Sequence, residues 1–321
     1  MTEHDVAMEL HELLSPYALK RFAEVKDKGL KVAHYTSAES AALIIQNKTI
    51  WLRNAAMMND FSEIAYGKAQ LESVLDSGLE QRLEAALTVV HPELMKEVRQ
   101  WLVDVDRITR EQTYLMSVAA HHPDDHLGKL SMWRAYGGTT SGVALVFNTE
   151  VFEHDSDALG AHSSPVLYGD SDDLTKQIEI VVANVENNID KFKNVSSDTA
   201  KSILFTAFQY WILSTKHPAF REEEEWRVIH MPFTAPSAFI PTSIRVVRGI
   251  PQMVCEVKLQ NQPNLDMPWL ELDRLLYRVI IGPCAYPEQV RWAFIDLLKS
   301  AGVSDPVNRV SVAYIPLRQQ G

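Results

Sequence analysis

Apolar positions along this chain change their spacing several times, and each change marks an element. Residues 1–30 repeat at helical intervals, with Ser15-Pro16 as a cap and first helical position and Gly29 as a stop. Val32, Ala33, His34 and Tyr35 then read as a short buried strand. Thr36 followed by Glu39 is a capping-box pattern opening a helix over 38–46, with Ala42, Leu43, Ile44 and Ile45 around its inner side and Asn47 as a left-handed stop. A second strand follows at 49–52. Between 68 and 110, Leu71, Val74, Leu75, Leu79, Leu83, Leu87, Leu94, Val98 and Leu102 recur at steps of three and four, a helical pattern.

Further on, 113–117 reads as a strand and 131–137 as a helix. The unbroken apolar run 142–148 reads as a central strand, and 165–168 as a short one. A second helical block covers 173–215, interrupted near 194–197. Strands return at 225–230, 243–247, 253–259 and 275–281, a helix at 287–301 and a last strand at 307–315. The sum is an α+β fold. One domain over 1–321 has a strand-rich core, an N-terminal helical extension at 1–30 and helical insertions at 68–110 and 173–215. It lacks the regular alternation of a doubly wound sheet, a glycine-rich dinucleotide fingerprint and a phosphate-cradling loop.

Composition narrows the classes. A formal charge of −11 gives no general attraction to nucleic acid or anionic membrane, though a local basic groove stays compatible with it. Arg53, Arg134, Arg245, Arg248 and Lys258 are candidates for such a groove. The two cysteines, Cys255 and Cys284, sit in apolar runs and read as small buried hydrophobes, with no zinc spacing. The first residues lack a hydrophobic signal core, and no apolar run approaches the ~20 residues of a membrane span. The expectation is a cytoplasmic protein with no membrane partner.

The candidate chemistry is spread along the chain. His34, at the end of a strand before a tight return, sits at a sheet rim where ligands reach; the bland alternative is a satisfied core histidine. The run Glu222-Glu223-Glu224-Glu225 is either a solvated edge or a crowded set in which repulsion raises the pKa of any partly buried member. Alternation along a strand would place Glu223, Glu225 and Arg227 on one face, with Glu222, Glu224 and Trp226 on the other. Trp133 and Tyr136 share a helix face, as core aromatics or as a stacking platform. Asn59-Asp60 with Glu63 is a helix cap or a support for the pocket. The segment 121–126 (His-His-Pro-Asp-Asp-His) has the wrong spacing for a metal site and reads as a turn lying over the pocket.

His34-Tyr35-Thr36-Ser37, the strand with Ser117, the Trp133–Gly137 helix and Glu225-Trp226-Arg227, taken in this order, resemble the ADP-ribosyltransferase fold of the His-Tyr-Glu class. With Asn59-Asp60, Glu63 and Ile281-Gly282-Pro283, the set also resembles a widespread bacterial family of uncharacterised domains related to those transferases. The resemblance implies a split β-sheet core and NAD+ as substrate, with no metal. It implies that His34 donates a hydrogen bond to a ribose hydroxyl while backbone groups beside it, at Tyr35 and Thr36, hold the nicotinamide. Tyr136, with Tyr114 as the alternative, would stack on the nicotinamide ring, with Ser117 and Trp133 near it. Glu225 would be the catalytic carboxylate and Glu223 the residue orienting the acceptor. His34, Tyr136 and Glu225 are expected to converge on one cleft. The acceptor would be RNA or protein, and the setting a toxin or phage-defence effector with an antitoxin or neutralising protein. The competing expectation is a catalytically inactive module of the same fold that senses a nucleotide or recruits a partner.

Overall fold

The structure, a computed structural model, describes residues 2–58, 61–137, 141–152, 154, 159–247, 249–262 and 265–315. Contacts divide the chain into two compact units: Met1–Ala23, Ala55–Thr113 and Ser164–Glu222 form one, and Glu24–Asn54, Tyr114–Ser163 and Glu223–Gly321 the other.

The first unit is almost wholly helical. Its longer helices are Glu3–Leu14, Phe61–Val74, Glu80–Thr88, Leu94–Asp104, Ser171–Asn187 and Ser197–Leu213. The leucines and valines spaced at three and four residues form its interior, where Leu71, Val74, Leu83, Leu87 and Val98 are all buried. Trp101 stacks on Phe205 at 3.9 Å between centroids. Lys216, fully buried, finds its counter-charge in Glu63 at 2.9 Å. Burial without that carboxylate would cost the ammonium several kcal/mol.

The second unit is a mixed α+β body around a mostly antiparallel sheet. Its strands are β1 (Lys31–Ser37), β2 (Thr49–Asn54), β3 (Tyr114–His121), β4 (Ser141–Phe147), β5 (Ala161–Pro165), β8 (Glu225–His230), β9 (Thr242–Val247), β10 (Ile250–Lys258), β11 (Leu276–Cys284) and β12 (Val310–Val312). The remaining two, β6 (Leu167–Tyr168) and β7 (Thr215–Lys216), pair with each other in the first unit. Strand order is β12-β11-β4-β1-β3-β2-β10-β9, with β8 on β3 and β5 on β8. Only β11 and β12 run parallel in this sheet, among the described pairings. β4 is buried along its whole length, as expected of a central strand read from a continuous apolar run.

Several local expectations are corrected. Ser37, not Thr36, caps the helix Ala38–Asn47, accepting from the Ser40 amide, and Lys48 at φ 45° holds the left-handed position assigned to Asn47. Ala41 and Ile45 are its buried residues while Leu43 is largely exposed, so the inner stripe is narrower and rotated from the expected one. The last strand shrinks from 307–315 to Val310–Val312.

The sheet forks at β3. Ala119 pairs with Glu225 of β8 and with Ala33 of β1, so those strands flank β3 on opposite edges. Leu115 likewise pairs with Ile229 of β8 and with Arg53 of β2. β1 and β2 therefore share one edge of β3, at its two ends. The β1 ladder spans Lys31–Ala33 against Ala119–His121, and the β2 ladder holds only Arg53 and Asn54. Residues 116–118 lie between the two branches.

Candidate functional site

The fork leaves the carbonyl of Ser117 pointing toward the edge that β1 has left, and the ring of His34 takes the place of the missing ladder bond. His34 Nδ1 is 3.0 Å from Ser117 O. A carbonyl only accepts, so Nδ1 carries the proton. Burial pushes the His34 pKa down, against the opposing pull of the Ser117 carbonyl, and keeps the ring neutral. Nε2 is then a lone pair, which can accept a hydrogen bond but not donate one. This reverses the direction of the hydrogen bond expected from the sequence. The Ser117 hydroxyl beside it is buried and has no hydrogen-bond partner among the described residues.

On one face of this region lies a tight aromatic assembly. Tyr35 and Trp133 meet edge to face at 4.8 Å, a favoured quadrupole arrangement. Trp133 donates Nε1–H to Leu127 O at 2.8 Å, and the Tyr35 hydroxyl accepts the Lys129 amide at 2.9 Å. Burial raises the Tyr35 pKa to about 12, so the phenol stays protonated. Gly128, at φ +69°, passes over both rings, where a Cβ would lie 2.8 Å from Trp133 and 2.9 Å from the Tyr35 hydroxyl. Trp133 is buried in the cluster with Ala33, Ala119, Val146 and Ile280, and Tyr136 packs against it, partly buried. Thr36 is half-buried on β1 opposite Val143.

Glu225 and Arg227 share the face of Ala119, Tyr35 and Ser117, because directly opposed residues of neighbouring strands point the same way. The two side chains meet each other. Arg227 Nε donates to Glu225 Oε1 at 2.9 Å and NH2 to Oε2 at 3.4 Å, and both residues are buried. Along β1, His34 belongs to the alternate set, so the pleat assigns it and Glu225 to opposite faces; its ring reaches Ser117 along the sheet edge. The structure thus brings Tyr35, Ser117, Trp133 and Glu225 to one face, while the pleat puts His34 on the other with its ring turned into the fork, so the strand register does not give the expected convergence of His34 with Glu225 on one face.

The strand alternation expected to place Glu223 and Glu225 on one face does not extend to Glu223. Pro218–Glu223 is a 3-10 helix, and Glu224 adopts φ 45°, so β8 begins only at Glu225 and the strand alternation does not extend back to Glu223. Repulsion along the acidic run is relieved by a residue that sequence reasoning missed. Lys129 Nζ pairs with the Glu224 carboxylate at 2.6 Å and donates to Glu223 O at 3.1 Å. Its only sequence signal was its place just before the Leu130–Tyr136 helix.

The basic candidates divide. Arg53, Arg245 and Lys258 come to one face of β2, β9 and β10 around Trp51, and Glu256 accepts from Arg245 (Nε, 2.9 Å), Lys258 (3.0 Å) and Ser243 (2.6 Å). These contacts outweigh burial and pull the Glu256 pKa to about 2. Arg134 is exposed on the Leu130–Tyr136 helix. Asn59, Asp60 and Arg248 lie outside the described residues. His121, expected in a turn, is the last residue of β3 and is buried. Among the described residues no group of three His, Cys, Asp or Glu side chains is placed to hold a metal ion. No helix of the described residues is long and apolar enough to cross a membrane. The opposite sheet face holds an apolar cavity of about 100 Å³ lined by Val32, Leu52, Met116, Val118 and Val228.

A family described as "Protein of unknown function (DUF2971)" matches residues 132–228, a span containing Trp133, Tyr136, Glu225 and Arg227 but neither His34 nor Ser117. No curated protein matches the chain. No solved structure matches it.

Proposed function

We propose that this chain is an NAD-dependent ADP-ribosyltransferase acting in the cytoplasm on a macromolecular acceptor, RNA or protein, as a toxin or defence effector held in check by a neutralising partner. The observation that carries the reading is the fork at β3, with a neutral His34 ring in it that reaches Ser117 O along the sheet edge, and with the Tyr35 hydroxyl, Ser117 and Glu225 together on the face opposite to the one the pleat assigns to His34. In the proposed reaction the bond between ribose C1′ and the nicotinamide nitrogen breaks. Its electron pair leaves with nicotinamide, and the sugar gains oxocarbenium character as in glycoside hydrolysis. His34 Nε2 accepts from a ribose hydroxyl, and the core aromatics Trp133 and Tyr136 support the wall on which the ring rests. The acceptor then bonds to C1′ and loses its proton. For Glu225 to stabilise the cation, its carboxylate must exchange Arg227 for the ribose 2′-hydroxyl.

A second reading has a specific observation behind it. Glu225 is buried and doubly engaged by Arg227, as in a domain that keeps a nucleotide pocket without turnover. Incubating the purified chain with NAD+ and following nicotinamide release separates the two. Release that is abolished in Glu225→Gln supports transfer; an NAD+-dependent rise in melting temperature with no release supports the binding module. Neither release nor a rise removes NAD+ from both readings.

A further inference from the structure

We propose that one end of the sheet, where Lys31 of β1, His121 of β3 and Arg278 of β11 come to the same face on either side of β4, binds a phosphate group, held by Lys31, Arg278, His126 and His121 around the ring of Tyr277. Four observations converge there. The Lys31 ammonium lies 5.2 Å from the Tyr277 ring centroid, and the Arg278 guanidinium lies 5.2 Å from the same centroid. Arg278 NH1 approaches His126 Nδ1 at 2.8 Å. Lys31 stands directly opposite His121 across the β1–β3 ladder. The buried His121 ring has an Nε2 without a hydrogen-bond partner among the described residues.

Several cations elsewhere on the sheet are matched by carboxylates. Arg245 and Lys258 are tied to Glu256, and Lys129 to Glu224. Neither Lys31 nor Arg278 has a carboxylate partner among the described residues. The nearest acid, Asp125, spends Oδ1 on the amides of Leu127 and Gly128 and brings Oδ2 to 3.8 Å from His121 Nδ1. Burial is the main cause that lowers the His121 pKa; Asp125 opposes it, and the nearby charges of Arg278 and Lys129 add to the lowering.

The donor types select the ligand. A guanidinium is always protonated, so the nitrogen it meets on His126 must accept, and the exposed Nε2–H of His126 is left as a donor. A planar fork, a point charge and an imidazole N–H suit the dispersed oxygens of a phosphate, which carries a charge of roughly −1.5 to −2 at neutral pH. Tyr277 supplies an apolar surface beside them. The proposal stands apart from NAD+ turnover, since it assigns no role to Glu225 or His34.

The test is isothermal titration of the full chain with inorganic phosphate, AMP and adenosine at low ionic strength. Phosphate and AMP are expected to bind saturably, and Arg278→Gln and Lys31→Gln each to weaken that binding tenfold or more. AMP binding tenfold tighter than phosphate identifies a nucleotide as the source of the group, and equal affinity a free anion. Adenosine should give no signal that depends on Arg278. The proposal is overturned if wild type shows no saturable phosphate binding, if both variants bind as wild type does, or if adenosine alone shows the Arg278-dependent signal. Lys31 is half-buried at the strand start, so Lys31→Gln provides a folded arm should Arg278→Gln lose structure.

Discussion

Arg227 and Glu225, two residues apart on β8, form a buried ion pair in which Arg227 Nε donates to Glu225 Oε1 at 2.9 Å. The pair sits on the face of the sheet that also carries Tyr35 and Ser117, so the carboxylate proposed for catalysis is also the counter-charge of a buried guanidinium.

Breaking one side of a buried pair leaves the other charge uncompensated, at a cost of about 3–5 kcal/mol. Arg227→Met is therefore expected to lower the unfolding free energy by that order in urea titration. Glu225→Gln keeps a hydrogen-bond acceptor and should lose less, but still measurably. The double replacement Glu225→Leu with Arg227→Met should recover much of the loss. An unchanged urea midpoint in Arg227→Met would show that the pair is not structural.

His34→Ala strips the Ser117 carbonyl of its donor at the fork. A buried acceptor left unsatisfied costs about 1–3 kcal/mol. The variant should melt earlier even without ligand, and NAD+ should no longer raise its melting temperature. If His34→Ala keeps a wild-type response to NAD+, the fork is not where the nucleotide binds.

Gly128 has no room for a methyl group. At φ +69° and within 3 Å of Trp133 and Tyr35, Gly128→Ala combines backbone strain with overpacking, together about 1–3 kcal/mol or more. The near-ultraviolet circular dichroism of the aromatic cluster should weaken along with thermal stability. A spectrum and melting temperature equal to those of wild type would mean that the 128–129 turn shifts freely away from the rings.

Acid should destabilise the protein through its histidines. Burial lowers the pKa of His34, His121 and His230 below the ordinary value of 6.5. Below that value the unfolded chain binds protons that the native one refuses, so stability declines as pH falls from 6.5 toward the depressed native values. Glu256, with its pKa at about 2, adds to the loss only below the ordinary carboxylate value of 4.5. Urea unfolding at pH 8, 6.5 and 5 should give nearly equal stability at the first two and a clear drop at the third. A flat profile to pH 5 contradicts the assignment of three neutral buried rings.

Much of the architecture was written locally. The short buried run Val32, Ala33, His34 and Tyr35, the apolar run of β4 and the β-formers of β8 are legible from nearest neighbours alone. The helical blocks likewise show in the three- and four-residue steps of their leucines. Caps were less legible, because Thr36 and Ser37 have the same chemistry and only the geometry of the turn chose Ser37.

The site was decided at longer range. Sequence periodicity tells which residues share a face but not where a ladder stops, and the fork exists because β1 leaves β3 after Ala33 while β2 joins it only at Arg53. That departure turns His34 onto a backbone carbonyl 83 positions away in the chain. Strand alternation also suggested a Glu223–Glu225 pair; a left-handed Glu224 ends the alternation there, and Lys129, 95 positions from Glu224, pairs with the Glu224 carboxylate. Residue types and spacing determined which side chains carry chemistry. Which of them meet, and with what charge state, depended on ladder register and burial, quantities that belong to the packed sheet and to no segment of it.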